Sequence, residues 1–266
     1  MSTVPLYQVD AFAERAFEGN PAAVCPLDAW LPDDVMRSIA AENNLSETAF
    51  FVRRADGDFD LRWFTPEVEV DLCGHATLAS AFVLFERLAK DLTKVRFWTK
   101  SGALEVVRDG ARLAMDLPSR PPRACETPAT LGEARGGAPM EVLRARDLTC
   151  IYECAEDVRA LRPDMGKIAA LDGEFAVIVT APGTGRDADV DFVSRFFAPA
   201  KGVDEDPVTG SAHCTLVPLW SARLDKTHLR ARQVSQRGGE LGCTLIGDRV
   251  RRAGHAVLVL EGTLTF

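Results

Sequence analysis

The sequence predicts an α+β protein of two similar lobes, each a set of short strands wrapped around one central helix. Three observations predict it. The segment from Asp58 to Ser80 (DFDLRWFTPEVEVDLCGHATLAS) is echoed by the segment from Asp189 to Leu216 (DVDFVSRFFAPAKGVDEDPVTGSAHCTL). Two long apolar stretches, Ala76 to Lys90 and Ser211 to Leu224, read as helices, each entered through a Gly-X-Ala step. Around them lie short alternating runs bounded by turn residues, which is the pattern of strands.

The repeat keeps its order. Each copy gives an alternating strand and then aromatic-X-Pro, Phe64-Thr65-Pro66 in the first and Phe197-Ala198-Pro199 in the second. An acidic loop follows, and then the helix entry, Gly74-His75-Ala76 or Gly210-Ser211-Ala212. Upstream, Ala49-Phe50-Phe51-Val52 and Phe175-Ala176-Val177-Ile178 occupy comparable places. Three echoes in one order, at a period near half the chain, imply two related domains. The Pro-rich stretch from Leu117 to Pro128 suits an exposed linker. The expected division is residues 1–117 for the N-terminal lobe, 118–128 for the linker and 129–266 for the C-terminal lobe, with the last strand free to return to the first lobe.

The remaining elements follow from local signals. Tyr7 to Phe12 and Ala22 to Cys25 read as strands flanking the turn Glu18-Gly19-Asn20-Pro21. Leu31 to Glu42 reads as a helix with Asp33 and Asp34 in its first turn, where acids suit the dipole. Val95 to Leu117 carries hairpin signals at Ser101-Gly102 and Asp109-Gly110. The helix from Ala76 is apolar nearly all round, the mark of a helix enclosed by other structure. The helix from Ser211 contains Pro218, which predicts a kink or an early break.

Composition removes several function classes. Hydrophobic residues make up 47% and charged residues 26%, enough apolar surface for a real core. The net charge is −8 with Arg and Lys scattered, which argues against nucleic acid or an anionic membrane as the main partner. No apolar run approaches the ~18–20 residues of a membrane span, and MSTVPLYQVDAF lacks the form of an export signal. A cytoplasmic location is expected. The 7 cysteines form no CxxC pair and no completed zinc pattern, so reduced thiols and no metal are expected. The absence of a GxxxxGK loop and of a dinucleotide fingerprint argues against nucleotide chemistry.

Chemistry-bearing residues gather at the helix entries. A helix start presents unpaired N–H groups and a partial positive charge, and so can hold a carboxylate or an enolate oxygen. Gly74 and Gly210 either serve such sites or simply allow close packing. Asp204-Glu205-Asp206-Pro207 precedes the second helix; one acid suffices for a cap, and another is free to act on substrate. Glu47, in Asn44 to Phe50, is either an exposed loop residue or a functional carboxylate. His75, at the first helix start, has its charged form disfavoured by the dipole, which predicts a neutral imidazole that relays a proton or packs. Cys73 is either a reactive thiol or a small packing residue. Arg237, in Ser235 to Glu240, either meets a substrate carboxylate or lies on an exposed turn. His213, His228 and His255 receive no role, and His213 reads as a satisfied core residue.

Five motifs now occur in order: EGNPAAV (Glu18 to Val24), ENNLSETAF (Glu42 to Phe50), DLCGHAT (Asp71 to Thr77), VDEDPVTGSAH (Val203 to His213) and SQRGGEL (Ser235 to Leu241). Together they make the chain resemble the PhzF-like family from about residue 7 to the C-terminus. The resemblance implies a diaminopimelate-epimerase-like fold, two lobes each a barrel-like sheet around a central helix, with the active site in the cleft between them. It implies a cofactor-independent isomerase that shifts a proton on a small carboxylic acid like dihydro-hydroxyanthranilate, and it points to a homodimer. By the same resemblance Glu47 is the general acid–base group, and Asp206 and His75 assist it. Gly74, Gly210, Ser211, Thr209, Cys73 and Arg237 line the substrate. An enclosed carboxyl group can both remove and return a carbon-bound proton, because burial and a second nearby carboxylate raise its pKa. Epimerases of this fold use two facing cysteines. Here Cys73 keeps the first position and Thr209 takes the second, which argues against a two-thiol reaction. A non-catalytic binding protein is the third reading.

Overall fold

The structure is a computed structural model that describes residues 1–128, 131, 137–171 and 176–266. Phe175, counted among the repeat echoes, lies outside the described residues, as does the expected start of the C-terminal lobe at residue 129. The chain forms two units, Met1–Asp116 with Ala253–Phe266, and Leu117–Arg252. The stretch expected as a linker therefore sits with the second unit. Its backbone is bonded there, with the Ser119 N–H donating to Asp248 O at 2.8 Å and the Arg120 N–H to Cys214 O at 2.8 Å. Proline marks residues that cannot donate; the residues between the prolines still can.

The first unit begins with β1 (Thr3–Ala11), β2 (Asn20–Leu27), α1 (Asp33–Asn43), β3 (Glu47–Arg53) and β4 (Phe59–Phe64). It continues with β5 (Glu69–Val70), α2 (Gly74–Val83), β6 (Lys94–Thr99), β7 (Gly102–Asp109) and β8 (Arg112–Pro118). The second unit holds β9 (Arg123–Ala124), β10 (Glu141–Arg144), β11 (Leu148–Ile151), α3 (Ala155–Ala160) and α4 (Met165–Ala169). Then come β12 (Val177–Pro182), β13 (Phe192–Phe197), α5 (Gly210–Leu224), β14 (His228–Gln233), β15 (Gly239–Ile246) and β16 (Arg249–Gly254). The chain ends on β17 (Ala256–Thr265), which pairs antiparallel with β1 and so belongs to the first unit.

The sequence repeat is a repeat of strand pairing. In the first unit β1–β2 is antiparallel, β2–β3 parallel, β3–β4 antiparallel, β4–β6 parallel and β6–β7 antiparallel. In the second, β10–β11, β11–β12, β12–β13, β13–β14 and β14–β15 follow the same alternation. Some strands, β3 among them, are covered on both faces. On β3, Phe50 packs with Met36, Ile39 and Ala40 of α1, while its neighbour Phe51 meets Phe59 and Phe97 on the opposite face. That two-sided burial is why Ala49 to Val52 reads as a continuous apolar run.

Each unit encloses one helix. In α2 every residue but Gly74 and Phe82 is buried. The helix runs on through a π-helical turn at Leu84–Leu88, two residues short of the expected end. A helix without a polar stripe carries no sequence mark of where its geometry changes. In α5, Pro218 lies inside an unbroken helix, so of the expected kink or early break the break does not occur. Proline removes the bond to the carbonyl four residues back, here Cys214 O, and the Arg120 N–H supplies that oxygen with another donor. Among the described residues no helix is long and apolar enough to cross a membrane.

Candidate active site

In the first unit the site is assembled by three elements. Glu47 is the first residue of β3, and its register partner in the parallel pair is Ala22 of β2. Asn20 lies two residues before Ala22, so Asn20 and Glu47 project from the same sheet face. The start of α2 adds Cys73 in the cap position, in extended conformation, and His75 one turn-residue into the helix. The Thr77 hydroxyl donates to Cys73 O, anchoring that start.

The side chains converge on the His75 ring. Its Nε2 lies 3.1 Å from Glu47 Oε2, with side-chain exposures of 6% for His75 and 17% for Glu47. Glu47 is therefore a strand residue held against a partner, and not an exposed loop residue. Its Oε2 is buried and makes this ion-pair contact. The ring's Nδ1 lies 3.2 Å from Asn20 Nδ2 and 3.5 Å from Cys73 Sγ. Gly74, the first helical residue, supplies the backbone between Cys73 and His75.

Two charges oppose burial here. Burial lowers the His75 pKa, but the Cys73 sulfur and the Glu47 carboxylate outweigh it and hold the imidazole well above its ordinary value. Burial first, and then the Glu47 charge, push the Cys73 thiol up to about 11. At neutral pH Cys73 is thus a thiol, and the charge that favours an imidazolium is that of Glu47. The Glu47 carboxylate in contact with the ring opposes the neutral imidazole expected from the helix dipole. Among the described residues, Glu47, Cys73 and His75 also offer metal-type donor atoms all within 4.8 Å of one another. A zinc-class cation suits such a set. The positive end of α2 and the reluctant thiol both work against one.

The second unit builds a different group at the matching helix start. The Asp206 N–H donates to Phe196 O at 3.0 Å, and its Oδ2 accepts from the Thr209 hydroxyl. Gln233, wholly buried at the end of β14, donates from Nε2 to Asp206 O at 2.7 Å and accepts the Thr209 N–H at 2.8 Å. Asp206 and Thr209 are so held by one amide. Ser211 lies 3.5 Å from Arg146 Nη2, and Arg146 also pairs with buried Asp147 at 3.2 Å. Burial raises the Asp147 pKa, against the pull of Arg146. Arg237 is partly buried in the turn before β15, where the Ser235 hydroxyl donates to Pro207 O at 2.8 Å. His213 is only half satisfied: its Nδ1 lies 2.9 Å from Thr209 O, while its Nε2 is buried without a hydrogen-bond partner.

The structure thus gathers Glu47, Cys73, Gly74 and His75 in one unit, and Asp206, Thr209, Gly210, Ser211 and Arg237 in the other. Sequence reading missed Asn20, Gln233 and Arg146. Asn20 stands in the motif EGNPAAV and Gln233 lies two residues before SQRGGEL, but a single amide carries no periodic signal.

Comparisons with known proteins show the family and the fold. The family model described as phenazine biosynthesis-like protein (PhzC-PhzF) matches residues 9–262. A Pseudomonas aeruginosa protein named as an uncharacterized isomerase is 53% identical, over 97% of this chain and 98% of its own. The crystal structure of a PhzF-family protein of Enterococcus faecalis is similar at a TM-score of 0.95 and 45% identity, covering 100% of both chains. A hydroxyproline epimerase of Agrobacterium vitis, solved with trans-4-hydroxy-L-proline bound, is similar at a TM-score of 0.61 and 12% identity over 98% of this chain and 92% of that one. At that identity the likeness is one of fold, and it shows the α+β epimerase-type architecture.

Proposed function

The chain belongs to the phenazine biosynthesis-like family, whose relatives include named isomerases, and from that premise we propose that it is a cofactor-independent isomerase moving a proton on a small carboxylic acid of the dihydro-hydroxyanthranilate kind. Glu47 takes a proton from one carbon and returns it to another, so that the reaction is redox-neutral and the enzyme ends as it began. His75 holds the carboxylate and exchanges its proton with it. Asp206 assists, with Gly74, Gly210, Ser211, Thr209, Cys73 and Arg237 lining the substrate.

One observation supports this reading most: the largely buried Glu47 carboxylate lies 3.1 Å from His75 Nε2, close enough for the two groups to share a proton. A carboxylate oxygen so placed has accepting capacity left for a proton from substrate. Two further observations disfavour a two-thiol epimerase. The Cys73 thiol is pushed up to about 11, and the Thr209 hydroxyl is committed as a donor to Asp206.

The test is proton NMR in heavy water on a panel of small carboxylic acids that includes the dihydro-hydroxyanthranilate. Wild type incorporates deuterium at carbon, and Glu47→Gln loses this by roughly 100-fold or more. Asp206→Asn loses part of it; a double variant no slower than Glu47→Gln alone would tie both carboxylates to one step. Undiminished exchange by Glu47→Gln would sink the assignment. Binding of an acid without exchange, and with affinity altered in Glu47→Gln, would favour the non-catalytic binding protein instead.

A further inference from the structure

Asn20 opens β2 wholly buried, and its amide contacts the one ring nitrogen of His75 that faces away from Glu47. An imidazole touched at one nitrogen can swing about its χ2 axis. Touched at both, it has a fixed plane and a fixed assignment of nitrogens. The chain is shaped to bring this amide here. Gly19, just before it, has φ +67°, and a Cβ there would lie 2.2 Å from Ala11 O and 2.8 Å from Ala13 Cβ. Only glycine fits that turn, and Asn20 enters the sheet as the register partner of Ala11.

Resting on the reading of Glu47 and His75 as the proton-transferring pair, we propose that Asn20 is the positioning residue of His75: its amide pins the ring at Nδ1 so that Nε2 faces Glu47, and it serves the ring in both protonation states. With the amide nitrogen toward the ring, its N–H donates to Nδ1 of a neutral imidazole whose hydrogen sits on Nε2, facing the carboxylate. Turned over about χ2, the amide presents its oxygen, which accepts from Nδ1–H of the imidazolium. A carboxylate at this position accepts only and ties the ring to its cationic form; an aliphatic side chain directs neither form. The titratable groups facing His75 are Cys73 from its own helix start and Glu47 from β3. Asn20 adds a third, uncharged contact that follows the ring through its proton exchange.

The experiment is ring-nitrogen NMR of the whole protein with 15N-labelled histidine, followed across pH for wild type, Asn20→Leu and Asn20→Asp. The chain has 4 histidines, few enough for the His75 signals to be identified by their loss in His75→Gln. The two substitutions are close in size and opposite in chemistry. Asn20→Asp raises the His75 titration midpoint by about one pH unit or more, because it sets a carboxylate beside Nδ1. Asn20→Leu lowers the midpoint and replaces the single Nε2–H signature of the neutral ring with averaged nitrogen shifts. In deuterium exchange, Asn20→Leu loses roughly 10- to 100-fold in kcat with KM little changed, the usual cost of an orienting partner to a functional histidine. A merely structural role predicts that both substitutions act in the same direction; that result, or ring nitrogens in both variants matching wild type, overturns the proposal. If Asn20→Leu does not fold, the direction of the Asn20→Asp shift decides. The histidine readout does not depend on turnover, so exchange surviving in Glu47→Gln would refute the assignment of Glu47 as the proton carrier while leaving the Asn20 result to stand alone.

Discussion

Buried His213 should make the protein less stable in acid, by an amount set by its depressed pKa. The ring lies buried within α5, 5.9 Å from the ring of Phe192. Burial, helped by the charge of Arg252 and opposed by the bond to Thr209 O, pushes its pKa from 6.5 down to about 4. Between those two values the unfolded chain binds a proton that the folded state refuses. The unfolded state therefore binds more protons, and stability falls as pH falls through this window. At about 1.36 kcal/mol per pH unit the whole window is worth on the order of 3 kcal/mol, and the part between pH 7 and pH 5 about 2 kcal/mol. His75 works in the opposite sense. Its folded pKa is raised, so its contribution is fully present below 6.5 and fades as pH rises through the folded value. The wild-type profile mixes the two, and a variant is needed to separate them. His213→Leu keeps the apolar packing and removes the titration, at a pH-independent cost of about 1 kcal/mol for the lost hydrogen bond. Urea unfolding of both proteins at pH 7, 6 and 5 should show the stability difference moving about 2 kcal/mol in favour of the variant on going from pH 7 to pH 5. Parallel profiles for the two proteins would refute the reasoning.

Two further substitutions probe the supports of the site. Gly19→Ala forces a Cβ against Ala11 O in a left-handed turn and should destabilise by roughly 3 kcal/mol; urea unfolding reads this, and a loss under 1 kcal/mol would mean the turn relaxes at little cost. Gln233→Leu removes the amide that serves Thr209 N–H and Asp206 O and should cost about 2–6 kcal/mol, since each buried group left unpaired costs about 1–3 kcal/mol. A thermal unfolding midpoint equal to wild type would show that those two backbone groups find other partners.

Much of the scaffold was legible because it rests on local chemistry. Ser101-Gly102 and Asp109-Gly110 mark the turns on either side of β7, and Gly102 has the positive φ, +94°, that such a turn asks for. Asp33 and Asp34 mark the first turn of α1. What was not legible depends on partners distant in sequence. His75 was expected to be neutral because the helix dipole is local, whereas Glu47 is 28 positions away and arrives only when β3 is placed beside β2. Pro218 was expected to kink or break α5, but the donor that compensates it, Arg120, comes from the stretch read as a linker. Asn20 and His75 are 55 residues apart, and no pattern within either segment announces the other. Sequence motifs name the groups that do chemistry more readily than the neutral amides that aim them.

The two units share a pairing order, yet their helix starts have parted in chemistry. At the start of α2 stand a thiol and a histidine held by a carboxylate; at the start of α5 stand a hydroxyl and a carboxylate held by an amide. A two-base epimerisation asks for matched bases, one from each copy, because the substrate carbon is attacked from one side and reprotonated from the other. Thr209 fails that requirement on two counts: a hydroxyl is a poor carbon base, and this one already donates its proton to Asp206. The first copy meets a different requirement by itself. Glu47 and His75 can hold one proton between them at a single contact of 3.1 Å, which is what removing a proton and returning it with one group demands. With a hydroxyl at the second helix start where the first has a thiol, matched bases are not supplied, which favours the proposed one-carboxylate proton shift over a two-base epimerisation.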